Sequence, residues 1–173
     1  MFYLSYAVLW CICLLLCVAV IRLYRKAKDK VQSELLEQDH GMSLGERFPP
    51  NGININNRSY KGTIVIFTTV GCSACKLIYR TFNKFSKKHN DFNFIFIALG
   101  DKETVSKNFE ENNISAPFIS ITHEMMEFYQ TRIFPFAYLL NSEFRIIRKG
   151  VINDEHHLNL LLKNIRSHEL EAV

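Results

Sequence analysis

The stretch TIVIFTTVGCSACKLIYRTFNKF, residues 63–85, decides how this chain is read. Thr63–Thr69 is β-branched and apolar on both faces, as a strand buried in the middle of a sheet should be. From Ser73 to His89 apolar residues recur at helical spacing, with Leu77, Ile78, Phe82 and Phe85 forming the stripe. Where strand gives way to helix stand Cys72 and Cys75, separated only by Ser73 and Ala74. A thiol at a helix N-terminus meets unpaired amides and the positive end of the dipole, both of which stabilise a thiolate. Residues three apart on a helix are neighbours, so this pair can open and close a disulfide with little backbone movement. Cys72 is expected to be the exposed nucleophile and Cys75, one turn inward, the resolving thiol. Lys76 adds a positive charge nearby.

Two other uses of the pair carry less weight. A zinc site needs two further ligands, and no second CxxC or His-x-x-x-His accompanies this one, so no metal is expected. A purely structural disulfide across a four-residue loop constrains the unfolded chain very little. Redox exchange fits better.

Downstream, strands and helices alternate. Asn93–Leu99 is predicted as a strand and Glu103–Asn113 as a polar helix with Val105 and Phe109 inward; Phe118–Ile121 is a short strand and His123–Gln130 a brief helix. The order βαβα favours parallel pairing. Phe136–Leu140 and Phe144–Lys149 flank Asn141-Ser142-Glu143 and read as an antiparallel hairpin. Asp154 is placed to cap a last helix reaching Ser167, with Leu158, Leu161, Leu162 and Ile165 on its apolar stripe. Pro135 opens the hairpin after Phe134. Taken alone it fits an ordinary trans proline at a strand start, and a cis bond would turn the backbone there.

Upstream, residues 40–57 are rich in Gly, Pro and Asn and mark a domain entrance. Residues 24–38 are polar and helix-favouring, as a stalk would be. No residue from Phe2 to Ile21 is charged, and such a stretch crosses a hydrocarbon core of about 30 Å as a helix. A cleaved signal peptide fits poorly, for no basic residue precedes the run and no small-x-small site follows it. Lipid attachment at Cys17 fits poorly too, because Leu16 stands where a small residue is wanted. Cys11, Cys13 and Cys17 read as small apolar residues within the run. The expected organisation is a transmembrane helix over 1–23, stalk and entrance over 24–57, and an α/β domain over 58–168. The chain has 173 residues and a net charge of +4, with five of its basic residues at Arg22, Arg25, Lys26, Lys28 and Lys30. That clustering gives no broad basic face, so a nucleic-acid partner is not indicated. By charge alone, basic residues after the span place the C-terminal domain in the cytoplasm.

With CSAC following a buried strand and FP opening the late hairpin, the chain resembles the thioredoxin superfamily. VGCSACK, FPFAYLLNSEFRIIRKG and VINDEHHL resemble, more narrowly, the MauD family of methylamine-utilisation accessory proteins, which are membrane-anchored and thioredoxin-like, akin to TlpA and ResA. The resemblance spans most of the chain, including the N-terminal run and the GERFPP entrance. It implies a thioredoxin-like α/β fold, a central mixed sheet flanked by helices, with one N-terminal transmembrane helix. It implies Cys72 and Cys75 as the redox pair, with no cofactor beyond their disulfide, and Pro135 as a cis proline where a client docks. Beside it, the Phe-rich sequence at Phe134 and Phe136 suits an apolar groove for a client peptide and ordinary packing equally. The implied setting is the exported side of the bacterial inner membrane, against the charge rule. The implied partners are a membrane redox protein and an exported, cysteine-containing client, the disulfide-rich small subunit of methylamine dehydrogenase. A reductant of the cytochrome c maturation type, or a non-catalytic assembly chaperone, are the alternatives. Thioredoxin's buried Asp before the CxxC is replaced by Ile66 and its motif proline by Ser73-Ala74, so proton handling must differ and the direction of electron flow is open. His156 and His157 are expected to cap or be solvated, Asp101 and Glu103 to cap a helix, and Met125 and Met126 to pack in the core.

Overall fold

The structure is a computed structural model that describes residues 10, 12–25, 40–49, 60–163 and 165. The chain divides into two compact units, Met1–Leu35 and Leu36–Val173. In the first, residues 12–25 form helix α1, whose apolar side chains are exposed, Leu15 at 70% and Leu23 at 67%. At 1.5 Å per residue the described helix measures about 21 Å. Among the described residues no helix is long and apolar enough to cross a membrane. Most of residues 1–11 and all of 26–39, where the expected span begins and the expected stalk lies, are outside the described residues.

The second unit is built on a five-stranded sheet in the order β3-β2-β1-β4-β5. Its strands are β1 (Thr63–Thr69), β2 (Asn93–Leu99), β3 (Phe118–Ile121), β4 (Phe136–Leu140) and β5 (Ile146–Val151). The crossovers are α2 (Ser73–Lys88) and α3 (Lys102–Glu111). They bring β2 and β3 parallel to β1, while β4 runs antiparallel to β1 and β5 antiparallel to β4. The mixed sheet is the one expected. The brief helix near 123 divides into α4 (His123–Met126) and a 3-10 turn over Glu127–Tyr129, ended by Gln130 at φ +49°. Helix α5 (Glu155–Leu162) starts on Asp154, whose carboxylate accepts the His157 amide at 2.9 Å. Its expected end at Ser167 lies outside the described residues, and Lys163 caps the described helix.

Alternation along the strands divides the core in two. Ile64, Ile66, Phe96, Ala98, Ala137 and Leu139 face α2, α3 and α5. Val65, Phe67, Ile97, Phe136, Tyr138 and Leu140 face the opposite side. That second side corrects the expected domain boundary at residue 58. The segment 40–48 is part of the domain: Gly45 donates to the Ile146 carbonyl at 2.7 Å, Phe48 to the Phe144 carbonyl at 2.8 Å, and Ile146 to the Glu46 carbonyl at 2.9 Å. Phe48 inserts its ring beside Phe67, Tyr129 and Tyr138, with Tyr129 stacked at 5.3 Å. Gly41, at φ +81°, passes so close to Tyr138 that a Cβ there would strike the Tyr138 hydroxyl. Gly41 and Gly45, which look like linker residues, are therefore turns in a packed strap.

Tyr138 is the polar centre of this layer. Its buried hydroxyl accepts the Met42 amide and donates to the Tyr129 carbonyl, at 2.9 and 2.8 Å. Burial pushes its pKa up, the Met42 hydrogen bond opposes this and the Glu46 charge adds to it, leaving it at about 12. Folding thus favours the neutral phenol. Its contribution is complete below pH 10, the ordinary tyrosine value, and is lost as pH rises from about 10 through about 12, on the order of 3 kcal/mol in all. Alkaline unfolding followed by circular dichroism should show this window, and Tyr138→Phe should remove most of it. Identical alkaline profiles for the two proteins would count against the linkage.

The hairpin also departs from expectation. Strand β5 begins at Ile146 rather than Phe144, because Phe144 turns at φ +62° and the connection runs from Asn141 to Arg145. Asn141 organises it, its side-chain oxygen accepting the amides of Glu143 and Arg145 at 3.0 and 2.9 Å. Such side-chain capture of nearby amides is the reason Asn favours turns.

Candidate active site

Strand β1 ends at Thr69, and the chain turns through Val70 and Gly71 into α2. Gly71 takes φ +81° with open space where a Cβ would stand, so glycine is required there by conformation rather than by crowding. The Cys72 amide donates back to the Thr69 carbonyl at 3.3 Å. Cys72 is the N-cap of α2, and its sulfur accepts the Cys75 amide at 3.1 Å. The stripe of Ile78, Tyr79, Phe82 and Phe85 buries α2 against the sheet, which fixes this end of the helix beside the sheet's edge of loops. Leu77, expected on that stripe, is instead 49% exposed.

Cys72 and Cys75 form a disulfide, with their Cα atoms 5.3 Å apart. Cys75 is fully buried and Cys72 half-buried. An incoming thiolate therefore has access to the Cys72 sulfur and not to that of Cys75. The Cys75 amide, aimed at the Cys72 sulfur, is positioned to stabilise negative charge on it when the disulfide opens. That donor is a residue of the site which the spacing of the cysteines alone did not reveal. Lys76 is exposed on the first turn of α2.

The Phe134–Pro135 peptide bond is cis. Pro135 precedes β4, one step beyond the Phe67–Phe136 pair in the antiparallel register, which sets it beside the end of β1 from which the CxxC loop departs. Its carbonyl accepts the Ile152 amide at 3.1 Å. Phe134 is half-buried where the two core layers meet. Phe136 corrects the expected groove: it is fully buried with its ring 5.1 Å from that of Tyr138, and it has no surface to offer a client. The alternation of β4 decides this, since Phe136 shares the inward face of Tyr138 and Leu140.

The other polar candidates are structural. Asp101 caps α3 by accepting the Thr104 amide at 2.8 Å, and hydrogen bonds from Thr104 hold its carboxyl below the usual range. Asp154 caps α5; burial works against its charge, but the His157 amide and ring, the latter at 2.7 Å, outweigh burial and lower its pKa. His157 is thus engaged in capping, and Met126 is core. Glu103 lies exposed in the first turn of α3.

No protein-family model and no curated protein matches the sequence. Solved structures do. The chain is similar to the thioredoxin domain of a thiol-disulfide oxidoreductase from Bacteroides vulgatus, with a TM-score of 0.60 and 20% identity over 72% of this chain and 99% of that one. It is similar to a thioredoxin-like protein from Aeropyrum pernix, with a TM-score of 0.56 and 14% identity over 84% of this chain and 99% of that one. StoA from Bacillus subtilis gives a TM-score of 0.51 and 22% identity over 61% and 84%. The fold is thioredoxin-like. At these identities the likeness defines the architecture, and the chemistry is argued from the site itself.

Proposed function

We propose that this chain is a thiol-disulfide oxidoreductase that exchanges dithiols and disulfides in a client protein. The observation that carries the proposal is the Cys72–Cys75 disulfide at the N-terminus of α2, with one sulfur accessible and the other buried. In the cycle, a client thiolate attacks Cys72 of the oxidised pair, or the Cys72 thiolate attacks a client disulfide, and either gives a mixed disulfide. Where Cys72 has attacked a client disulfide, the Cys75 sulfur attacks Cys72 and the client leaves as a thiolate; where a client thiolate has attacked Cys72 and displaced Cys75, a second client thiolate attacks the client sulfur of the mixed disulfide and Cys72 leaves as a thiolate. The exposed Val70 and Leu77, on either side of the motif, together with half-buried Phe134, supply apolar surface around the reacting sulfur. Pro135 itself is buried, has no N–H and gives its carbonyl to Ile152, so an extended client segment there would take its main-chain hydrogen bonds from the backbone just before the cis bond. The thiol-disulfide oxidoreductase from Bacteroides vulgatus, which shares the fold, supports the same chemistry.

The narrower part of the proposal is a single-pass anchor in the bacterial inner membrane, with the domain on the exported side and the methylamine dehydrogenase small subunit as client. Support comes from the resemblance of VGCSACK and FPFAYLLNSEFRIIRKG to MauD-like proteins and from the uncharged run Phe2 to Ile21. The test is labelling of Cys72 in intact cells with a membrane-impermeant maleimide after mild reduction, in a chain with Cys11, Cys13 and Cys17 replaced by Ala. Labelling in intact cells is expected. Labelling confined to lysed cells would overturn the exported orientation and leave a cytoplasmic redox role.

A further inference from the structure

The buried polar inventory around the disulfide is short. Among the described residues no acidic, basic or histidine side chain is buried, and besides the tyrosines Tyr79, Tyr129 and Tyr138 the buried polar residues are Thr63, Thr68, Thr131 and Asn141. Thr68 is the one at the active end of β1. Alternation puts its side chain on the face of Ile64 and Ile66, the face that packs on α2 and encloses Cys75. It is fully buried, and its hydroxyl closes no hydrogen bond. Tyr79, one helical turn beyond Cys75 and so on the same face of α2, also carries a buried hydroxyl that closes none. The Tyr79 hydroxyl is directed toward the side chains of Thr68 and Asn108. Two buried hydroxyls without a closed hydrogen bond, on the face of the sheet that encloses Cys75, call for an account, because leaving a buried donor unpaired is costly.

We propose that Thr68, backed by Tyr79, is a positioning residue for resolution: its hydroxyl donates a hydrogen bond to the Cys75 sulfur when the pair is reduced. This rests on the redox function proposed above. In the resolving step the Cys75 thiol gives up its proton to solvent and its sulfur attacks that of Cys72 in the mixed disulfide. The Cys72–Cys75 bond forms, the bond from Cys72 to the client sulfur breaks, and the client departs as a thiolate with the electron pair. The thiolate of Cys75 arises in an apolar enclosure, where charge is costly without a donor. Beside it on its own helix are Cys72 and Tyr79, while the cations of that helix, Lys76, Arg80, Lys84, Lys87 and Lys88, are exposed; β1, β2, β4, α3 and α5 bring apolar side chains to the cluster. Ile66, where thioredoxin has a carboxylate, supplies nothing. Burial raises the pKa of Tyr79 against the effect of Thr68 and Asn108, so Tyr79 stays a donor throughout the working range.

The test uses the full chain carrying Cys11→Ala, Cys13→Ala and Cys17→Ala, reduced and mixed with one equivalent of dithiobis(nitrobenzoate). Nitrothiobenzoate is released in two phases, the first from attack by Cys72 and the second from resolution by Cys75. Thr68→Val should raise the pH midpoint of the second phase by about one unit, which slows it about tenfold near neutrality. Thr68→Ser should restore it. Tyr79→Phe should move the midpoint the same way by less, and gives an independent reading should Thr68→Val fold poorly by circular dichroism. An unchanged midpoint in folded Thr68→Val, or in Tyr79→Phe where the Val variant does not fold, overturns the proposal. A parent protein with no second phase at all would instead overturn the redox function on which it rests.

Discussion

Cys75→Ala is expected to abolish turnover of a disulfide substrate, by at least about a hundredfold, while leaving a protein that captures client through Cys72. The reason is positional. Cys72 is half-buried and Cys75 fully buried, so only the former meets an incoming sulfur, and only the latter lies within the molecule to release it. Without the Cys75 sulfur the mixed disulfide has no internal route to resolution and should persist. The capture is read on non-reducing gels as a higher-mass species that collapses on reduction and is absent in the Cys72→Ala, Cys75→Ala double variant. The fold should survive, because replacing the small buried sulfur by a methyl group on α2 leaves its other buried residues, Ile78, Tyr79, Phe82 and Phe85, in place. Normal client maturation with Cys75→Ala would favour the non-catalytic chaperone role and sink the enzymatic one.

Phe48→Ala is expected to destabilise the domain by about 3–5 kcal/mol, the range for removing a large aromatic side chain from a packed core. That is a large part of the whole stability of a domain of this size. Phe48 is 1% exposed and touches three aromatic rings on the side of the sheet opposite α2. Its loss opens a cavity under the strap formed by residues 40–48, which the hydrogen bonds to Phe144 and Ile146 keep from collapsing inward. Urea unfolding should show a lowered midpoint with little change in slope. Leu44→Ala, in the same strap but 55% exposed, serves as the comparison and should stay within about 0.5 kcal/mol of the parent. Equal, small effects at both positions would show that the strap merely lies on the domain.

The two predictions draw on parts of the chain with different legibility. The site needed only local information: a buried strand, a helix with its stripe, and two cysteines at the junction. Even there, local information erred at Leu77 and Phe136. A helical stripe is wider than the contact it makes, and residues at its border, such as Leu77, are assigned by what packs against them. Phe136 is apolar and adjacent to Pro135, which suits a groove and a core equally; the pairing of β4 with β1 resolves it inward.

The strap was the least legible element. Gly41, Gly45 and Pro49 have the composition of a linker, and no periodicity marks a segment that forms neither helix nor strand. Met42 and Phe48 were the available signal, being large apolar residues in a polar stretch. Their partners, however, are scattered over Phe67, Tyr129 and Tyr138, the last 96 residues from Met42, and no local rule reaches that far.

By itself the sequence determined the alternating order of strands and helices, the strand-to-helix placement of Cys72 and Cys75, and the caps at Asp101 and Asp154. These are properties of period, propensity and side-chain reach over a few residues. The tertiary structure alone decided that Phe136 is core, that residues 40–48 close the second face of the sheet, and that the hydroxyls of Thr68 and Tyr79 are buried on the face that encloses Cys75. Burial and the meeting of groups distant along the chain arise only when the strands pair and both faces of the sheet are covered.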